Sequence, residues 1–126
     1  MTKKIIKTAT APDPIGPYSQ AVKAGNLLFI SGQIAIIPGS LYLKNDNIAD
    51  ETAQVMSNLK AILDEAGLDF ENVVKTTIFL KEMSLFAAVN EVYGKSFKAD
   101  FPARETVAVK GLPKDVNVEI SMIASE

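Results

Sequence analysis

Residues 50–80 read DETAQVMSNLKAILDEAGLDFENVVKTTIFL and carry the clearest secondary-structure signals in the chain. The first part predicts a helix that Asp50 caps and that Gly67 ends in a left-handed conformation. Residues 73–80 are rich in β-branched and aromatic side chains and predict a strand. The apolar side chains that recur at helical spacing, and are therefore expected to face a core, are Val55, Met56, Leu59, Ile62, Leu63 and Ala66.

The flanking regions add strands and one more helix. In chain order they comprise a proline-rich extended segment at 10–17, a strand at 27–30, a helix capped by Ser84 and ended by 101–102, and strands at 104–109 and 116–123. The apolar stripe of the second helix is Phe86, Val89, Tyr93 and Phe97. Two helices for about five or six strands predict an α+β fold, with a single sheet and both helices on one face.

The opposite face of that sheet also carries apolar side chains. Strand alternation cannot place all of these residues under the helices, and the group comprises Phe29, Val73, Phe79 and Ile123. Because monomers rarely leave large apolar patches in water, we expect another copy of the chain to cover this face.

Composition excludes several kinds of chemistry. The 126 residues predict one domain spanning 1–126, and the sequence contains no cysteine and no histidine. Disulfides, thiolate nucleophiles, imidazole bases and Cys- or His-ligated metals are therefore excluded. The net charge of −2, without a concentrated basic run, argues against nucleic-acid binding. Residues 27–43 are too interrupted to span a membrane, and no signal peptide is recognisable, so a cytoplasmic location is expected.

Two charged residues lie in predicted strands. Alternation assigns Val107 and Val109 to the core side of one strand, which leaves Arg104 on the face expected to meet a partner chain. In the last strand Val118, Ile120 and Met122 take the core side, so Glu119 shares that partner face with Arg104. An interface salt bridge and a functional pair are both consistent with this pattern.

Four further polar or aromatic positions are candidates for a binding site. Asn90 interrupts an apolar helical stripe, either as a satisfied buried amide or as a ligand contact. Ser31 and Gly32 follow a strand and offer a hydroxyl and an unhindered backbone, although a glycine there also suits a simple turn. Tyr18 is equally consistent with a core position.

A set of motifs spans almost the whole chain. They are, in order, AP at 11–12, IGPYSQA at 15–21, SGQ at 31–33, NLKAIL at 58–63, AG at 66–67, VKTT at 74–77, FPAR at 101–104, LPKDV at 112–116 and EI at 119–120. This set resembles the RidA/YjgF family of enamine/imine deaminases. The chain departs from the family at Thr106, where archetypal members often carry cysteine, and in the loop at 38–42, which contains Tyr42.

The resemblance implies a chorismate-mutase-like fold, a homotrimer with ligand clefts between subunits, and hydrolysis of 2-imino acids such as 2-iminobutanoate and 2-iminopropanoate to 2-keto acids and ammonia. It implies no metal and no cofactor. Arg104 would bind the substrate carboxylate and Glu119 would act on water or on the imine nitrogen. The residues implied to line the cleft are Tyr18, Ser31, Gly32, Asn90 and Thr106.

Two alternatives belong to other functional classes. A non-enzymatic regulatory trimer would bind small carboxylic acids in the same inter-subunit cleft. An RNA-acting protein ranks last, because the chain is acidic and lacks a basic aromatic stripe.

Overall fold

The computed structural model describes residues 2–126, and the predicted order of helices and strands is confirmed. The elements are β1 (Lys3–Ile6), β2 (Ala21–Ala24), β3 (Leu27–Gln33), α1 (Ile48–Glu65), β4 (Val73–Leu80), α2 (Phe86–Gly94), β5 (Ala103–Ala108) and β6 (Val118–Ser125). Short 3₁₀ turns at Phe70–Asn72, Met83–Leu85 and Pro113–Asp115 join some of them.

The strands form one mixed sheet in the order β1-β2-β3-β6-β4-β5. Neighbouring strands are antiparallel except β4 and β5, which are parallel and are connected through α2, as a parallel pair requires a crossover. Both helices pack on the same face, so the predicted α+β architecture is confirmed. The two outer strands are β1 and β5.

The main core lies between the helices and this face of the sheet. Helix α1 contributes Val55, Leu59 and Ile62, all fully buried, and burial of each such side chain stabilises the fold by about 1.5–3 kcal/mol. Strand β6 alternates as predicted, with Val118 and Ile120 in the core. Val73, expected on the opposite face, is instead buried in this core, where it pairs with Ala124 of β6.

The ends of the helices differ from the prediction in detail. Asn47, not Asp50, caps α1: its Oδ1 accepts the Asp50 N–H at 2.8 Å, and its side-chain amide donates to the Asp50 carboxylate. Gly67 has φ +74° and ends α1 as predicted. Ser84 does not cap α2, because it lies inside the preceding 3₁₀ turn and its hydroxyl donates to Glu82.

A smaller apolar cluster supports the loops at one end of the sheet. Its buried members are Ile34, Ile36 and Val116, and Leu43 and Leu112 pack against them. The cluster ties the segment after β3 to the segment before β6. Among residues 2–126, no helix has the length and apolar character needed to cross a membrane.

Candidate functional site

A pocket of about 350 Å³ lies beside this smaller cluster, and we call it the carboxylate pocket. It brings together four residues that the sequence assigned to a site: Tyr18, Ser31, Gly32 and Glu119. The wall of the pocket also includes Pro12 and Asp13 of the N-terminal segment and Pro113 of the loop before β6.

Gly32 allows the Glu119 side chain to lie directly against β3. The pairing of β3 with β6 changes register between Ile30 and Gln33, so that Ser31 and Gly32 form a bulge. A Cβ atom on Gly32 would lie 2.7 Å from Glu119 Oε2, which is closer than real Cβ atoms approach. Partial burial raises the pKa of the Glu119 carboxyl, because desolvation disfavours the charged form. The ionised group is therefore a stronger base than an exposed glutamate.

Ser31 orders the chain segment that carries Tyr18. Its hydroxyl donates to the Ser19 carbonyl at 2.6 Å, and its backbone N–H donates to the Gln20 carbonyl at 2.9 Å. Tyr18 is about half exposed, and its hydroxyl accepts the Ile15 N–H at 3.3 Å. The Ser31 oxygen retains acceptor capacity towards the pocket, while its proton is engaged by the protein.

Gln20 is a site residue that the sequence reasoning did not single out. Its side chain is buried, and the amide nitrogen donates to the carbonyls of Pro12 at 2.8 Å and Thr8 at 3.0 Å. The amide oxygen accepts the Thr8 N–H at 2.8 Å. Gln20 thereby fixes the proline-rich segment that walls the pocket. The only signal in the sequence was an isolated amide directly before a short apolar strand.

A second pocket, of about 380 Å³, surrounds Arg104, and we call it the guanidinium pocket. Arg104 Nη1 donates to Asn90 Oδ1 at 2.7 Å. The guanidinium carbon lies 5.6 Å from the Phe86 ring centroid and 5.2 Å from that of Tyr93, which are cation–π distances. The Tyr93 hydroxyl pairs with Thr76 at 3.0 Å. Helix α2 thus holds the head group of Arg104, which is the only arginine in the sequence.

The predicted orientation of Arg104 is wrong. Arg104 pairs in register with Thr76, which is buried under α2, so Arg104 lies on the helix face of the sheet. Val107, expected in the core, is exposed, and Val109, also expected there, is only partly buried and follows the end of β5. The reason is that β5 is an outer strand, where the aromatic rings and amide of α2 accept a guanidinium better than an aliphatic core would.

Within one chain the two pockets are therefore separate. Glu119 lies on the face opposite the helices, Arg104 lies on the helix face, and β4 runs between their strands. In the part of the chain from residue 2 onwards, no group of acidic side chains is arranged to hold a metal ion.

Known proteins resemble this chain over nearly its whole length. The family model described as Endoribonuclease L-PSP matches residues 8–126. A RutC family protein of Synechocystis is 53% identical over 126 residues, covering 98% of this chain and 97% of that protein. The human 2-iminobutanoate/2-iminopropanoate deaminase is 45% identical, covering 98% of this chain and 90% of that protein. The solved structure of the Rid family protein YyfA of Yersinia pestis is 44% identical with a TM-score of 0.96, covering 99% of this chain and 100% of that one.

The chain belongs to the RidA/YjgF family. Of the RidA/YjgF residues that the motifs assigned to a cleft, the structure divides six between two pockets. The carboxylate pocket holds Tyr18, Ser31, Gly32 and Glu119, and the guanidinium pocket holds Asn90 and Arg104.

The seventh residue, Thr106, lines neither pocket of this RidA/YjgF chain. Its hydroxyl is buried and has no hydrogen-bond partner among residues 2–126. A side-chain contact from Thr106 to a ligand is therefore not available in the single chain. A backbone contact is unaffected by this burial.

The sheet face opposite the helices carries a row of apolar residues across four strands. Ile5 pairs with Val22, Val22 with Phe29, and Phe29 with Ile123. Ile5 is 49% exposed and Phe29 is 43% exposed. This row agrees with the predicted apolar second face, apart from the buried Val73.

Proposed function

We propose that the chain hydrolyses 2-imino acids to 2-keto acids and ammonia, in a cleft where the guanidinium pocket of one subunit meets the carboxylate pocket of another. One observation carries the proposal: Arg104, the only arginine in the sequence, and Glu119, the carboxylate beside the bulge, lie on opposite faces of a sheet. Neither pocket alone offers both a group that binds the substrate carboxylate and a group that accepts a proton. The family includes a relative named for this activity.

Arg104 is suited to hold the substrate carboxylate. A planar guanidinium carries five N–H donors, and Asn90 occupies one of them. The Phe86 and Tyr93 rings restrain the group, so the remaining donors are already ordered for two parallel hydrogen bonds to a carboxylate. Little side-chain entropy is then lost on binding.

Glu119 is suited to move the proton. In the proposed reaction, the water oxygen forms a bond to the imine carbon, the C=N π electron pair moves to the nitrogen, and the Glu119 carboxylate accepts one proton from that water. The resulting carboxyl returns the proton to the nitrogen of the tetrahedral adduct. The Glu119 carboxylate then takes the hydroxyl proton of the adduct and passes it to the same nitrogen. The C–N bond breaks as the C=O bond forms, and ammonia leaves. The imine carbon is already electrophilic, so placing one water and one base accounts for the acceleration.

The proposed assembly is a closed homotrimer. A contact between two different patches, here the guanidinium pocket and the carboxylate pocket, is heterologous and closes into a ring when the rotation permits. The apolar row on the face opposite the helices supplies the hydrophobic area that such a ring would bury. Both features support a trimer with one cleft at each subunit junction.

A coupled assay tests the activity. A pyridoxal-phosphate-dependent dehydratase generates 2-iminobutanoate or 2-iminopropanoate, and we expect this protein to accelerate release of ammonia and 2-keto acid above the spontaneous rate. Binding of 2-keto acids without any acceleration would instead favour the regulatory, non-enzymatic trimer.

A further inference from the structure

A fully buried carboxylate lies outside both pockets. Glu51, in the first turn of α1, is 0% exposed, and its side chain reaches from the helix to the segment that leads into β6. Its Oε2 accepts the Asn117 N–H at 2.8 Å, and its Oε1 accepts the Asn117 side-chain amide at 2.8 Å. Among residues 2–126, no lysine or arginine pairs with Glu51. Both carboxylate oxygens are therefore committed to one residue, Asn117.

Asn117 joins a strained turn to the strand that carries Glu119. In this turn Lys114 and Asp115 have φ of +54° and +55°, a left-handed conformation that is costly for residues with a side chain. Pro113 of the same turn lines the carboxylate pocket. The turn itself is exposed, so contacts on its flanks must maintain this conformation.

The start of β6 is paired regularly on one side. On the β4 side, Glu119 pairs with Phe79. On the β3 side, the register pairs run from Ile120 towards the C-terminus, because the bulge in β3 lies here. Residues 117–119 are therefore held by β4 on one side and by the carboxylate of Glu51. Movement of this segment would move the Glu119 side chain.

Resting on the function proposed above, we propose that Glu51 is a positioning residue: its two hydrogen bonds to Asn117 fix the start of β6 and thereby hold the Glu119 carboxylate against Gly32. Glu51 lines neither pocket, so it acts through Asn117 and not on the substrate. Misplacement of a reacting group by about 1 Å lowers a rate by as much as about a hundredfold. A contact on the helix side of the sheet can therefore control turnover.

Two substitutions of Glu51 separate its hydrogen bonds from its volume. In the dehydratase-coupled assay, semicarbazide competes for the free imine and gives kcat/KM. Glu51→Leu loses both hydrogen bonds, so kcat/KM should fall about tenfold or more, while 2-keto acid affinity, which rests on Arg104, stays within about twofold. Glu51→Gln should stay within about twofold of wild type, because its oxygen accepts the Asn117 N–H and its amide donates to the reoriented Asn117 side-chain oxygen.

Thr52→Val is the matched control on the same helix. The Thr52 side chain is also fully buried, but its hydroxyl donates within α1, to the Ile48 carbonyl at 2.8 Å. This variant loses a buried hydrogen bond without loosening β6, so it should keep the wild-type kcat/KM. Asn117→Ala, at a partly buried position, removes one of the two bonds to Glu51 and should lower kcat/KM about threefold or more. It keeps the role testable if Glu51→Leu does not fold.

A second measurement does not depend on activity. The ¹³C resonance of the Glu119 carboxyl, identified by its loss in Glu119→Gln, reports the pKa of this group, which burial raises. In Glu51→Leu this pKa should fall towards that of an exposed glutamate. In Glu51→Gln and Thr52→Val it should match the wild type. Asp13 and Tyr18, the other titratable side chains that line the pocket, are unchanged in all these variants.

The outcomes separate the positioning role from the activity. Wild-type kcat/KM and Glu119 pKa in both Glu51→Leu and Asn117→Ala overturn the role, because filling the space would then suffice. Equal losses in Glu51→Leu and Glu51→Gln also overturn it, because the charge of Glu51 would then matter and not its hydrogen bonds. An equal loss in Thr52→Val would assign the effect to helix stability. A wild-type protein that does not hydrolyse imines overturns the proposed function, and the Glu119 titration then still decides whether Glu51 holds the carboxylate.

Discussion

Arg104 and Glu119 lie on opposite faces of one sheet, with strand β4 between the strands that carry them. Two strand spacings of about 4.8 Å each, together with the thickness of the sheet, separate their side chains. A 2-imino acid is too small to contact both groups across that barrier. This relationship supports a cleft that takes one residue from each of two subunits.

Mixed trimers provide the direct test of that cleft. Arg104→Ala and Glu119→Ala proteins should each be inactive, but unfolding them together and refolding at equal concentration should restore activity. If each cleft takes its two residues from different chains, about one quarter of the clefts in a random mixture receive both intact residues. Recovery should therefore approach one quarter of the wild-type rate. Mixed trimers verified by mass spectrometry that remain inactive would show that both residues act from the same chain.

Arg104→Lys should lose most of the activity although the charge is retained. An ammonium cannot make two parallel hydrogen bonds to a carboxylate, and it loses the stacking on Phe86 and Tyr93. Charge-assisted hydrogen bonds contribute about 1.5–3 kcal/mol, so kcat/KM should fall roughly tenfold to a hundredfold.

The presence of a single arginine permits a chemical control on the same residue. Phenylglyoxal should inactivate the wild type by modifying Arg104, and a 2-keto acid should protect it. The Arg104→Lys protein should be insensitive to the reagent. Kinetics close to wild type in Arg104→Lys, or inactivation that a keto acid does not slow, would exclude the carboxylate-binding role.

Glu119→Gln should lower turnover by roughly a hundredfold or more while keeping the affinity for 2-keto acids. The amide preserves the shape of the side chain but cannot accept a proton, and general base catalysis contributes a factor of about 10² to 10⁴. Turnover is measured beside keto-acid binding by calorimetry. A parallel loss of turnover and binding would indicate a structural role for Glu119.

The same variant should change the pH dependence of stability. Burial raises the folded-state pKa of Glu119 above its unfolded value, so the stability this group contributes is present below the unfolded pKa and is lost as pH rises through the folded pKa. The Glu119→Gln protein has no titrating carboxyl at this position, so it does not lose this stability as pH rises. Its free energy of unfolding relative to wild type should therefore increase between about pH 4 and about pH 7. Urea unfolding at both pH values measures the difference, and a pH-independent difference would contradict the prediction.

Gly32→Ala should reduce turnover about tenfold or more without unfolding the protein. The new Cβ would lie 2.7 Å from Glu119 Oε2, and the flexible carboxylate, not the backbone, would move away. Gly111→Ala is the matched control, since a Cβ at that position meets no atom of residues 2–126 within 4 Å. Equal turnover in the two variants would show that the position of the Glu119 carboxylate does not limit the reaction.

Thr106→Val should raise the free energy of unfolding by about 1 kcal/mol, because it removes a buried hydroxyl that has no partner in the part of the chain that the structure describes. Thr76→Val offers the opposite case, because the Thr76 hydroxyl pairs with Tyr93 and its loss should cost about 1 kcal/mol. Thermal or urea unfolding of both variants checks the pair. Destabilisation by Thr106→Val would mean that the hydroxyl has a partner in the assembled protein.

Local patterns in the sequence determined most of the fold. Three patterns predicted helices or strands from neighbouring residues, and the structure confirms each of these elements. They are the helical spacing that ends at Gly67, the β-branched run at Val73–Leu80 and the alternation in Val118–Ser125. The predicted N-cap of α1 was wrong because Asn47 and Asp50 are both good capping residues, and only the backbone path distinguishes them.

Tertiary structure alone decided where the charged site residues lie. Alternation indicates which residues of a strand share a face, but it does not indicate which face meets the helices. On the outer strand β5, the apolar residues are exposed. The face of Arg104 depends on its contacts with Asn90, Phe86 and Tyr93, which are distant in sequence. The Gly32 bulge and the buried Gln20 likewise depend on pairing between separate segments. The sequence thus singled out seven candidate residues, and long-range packing divided six of them between two pockets.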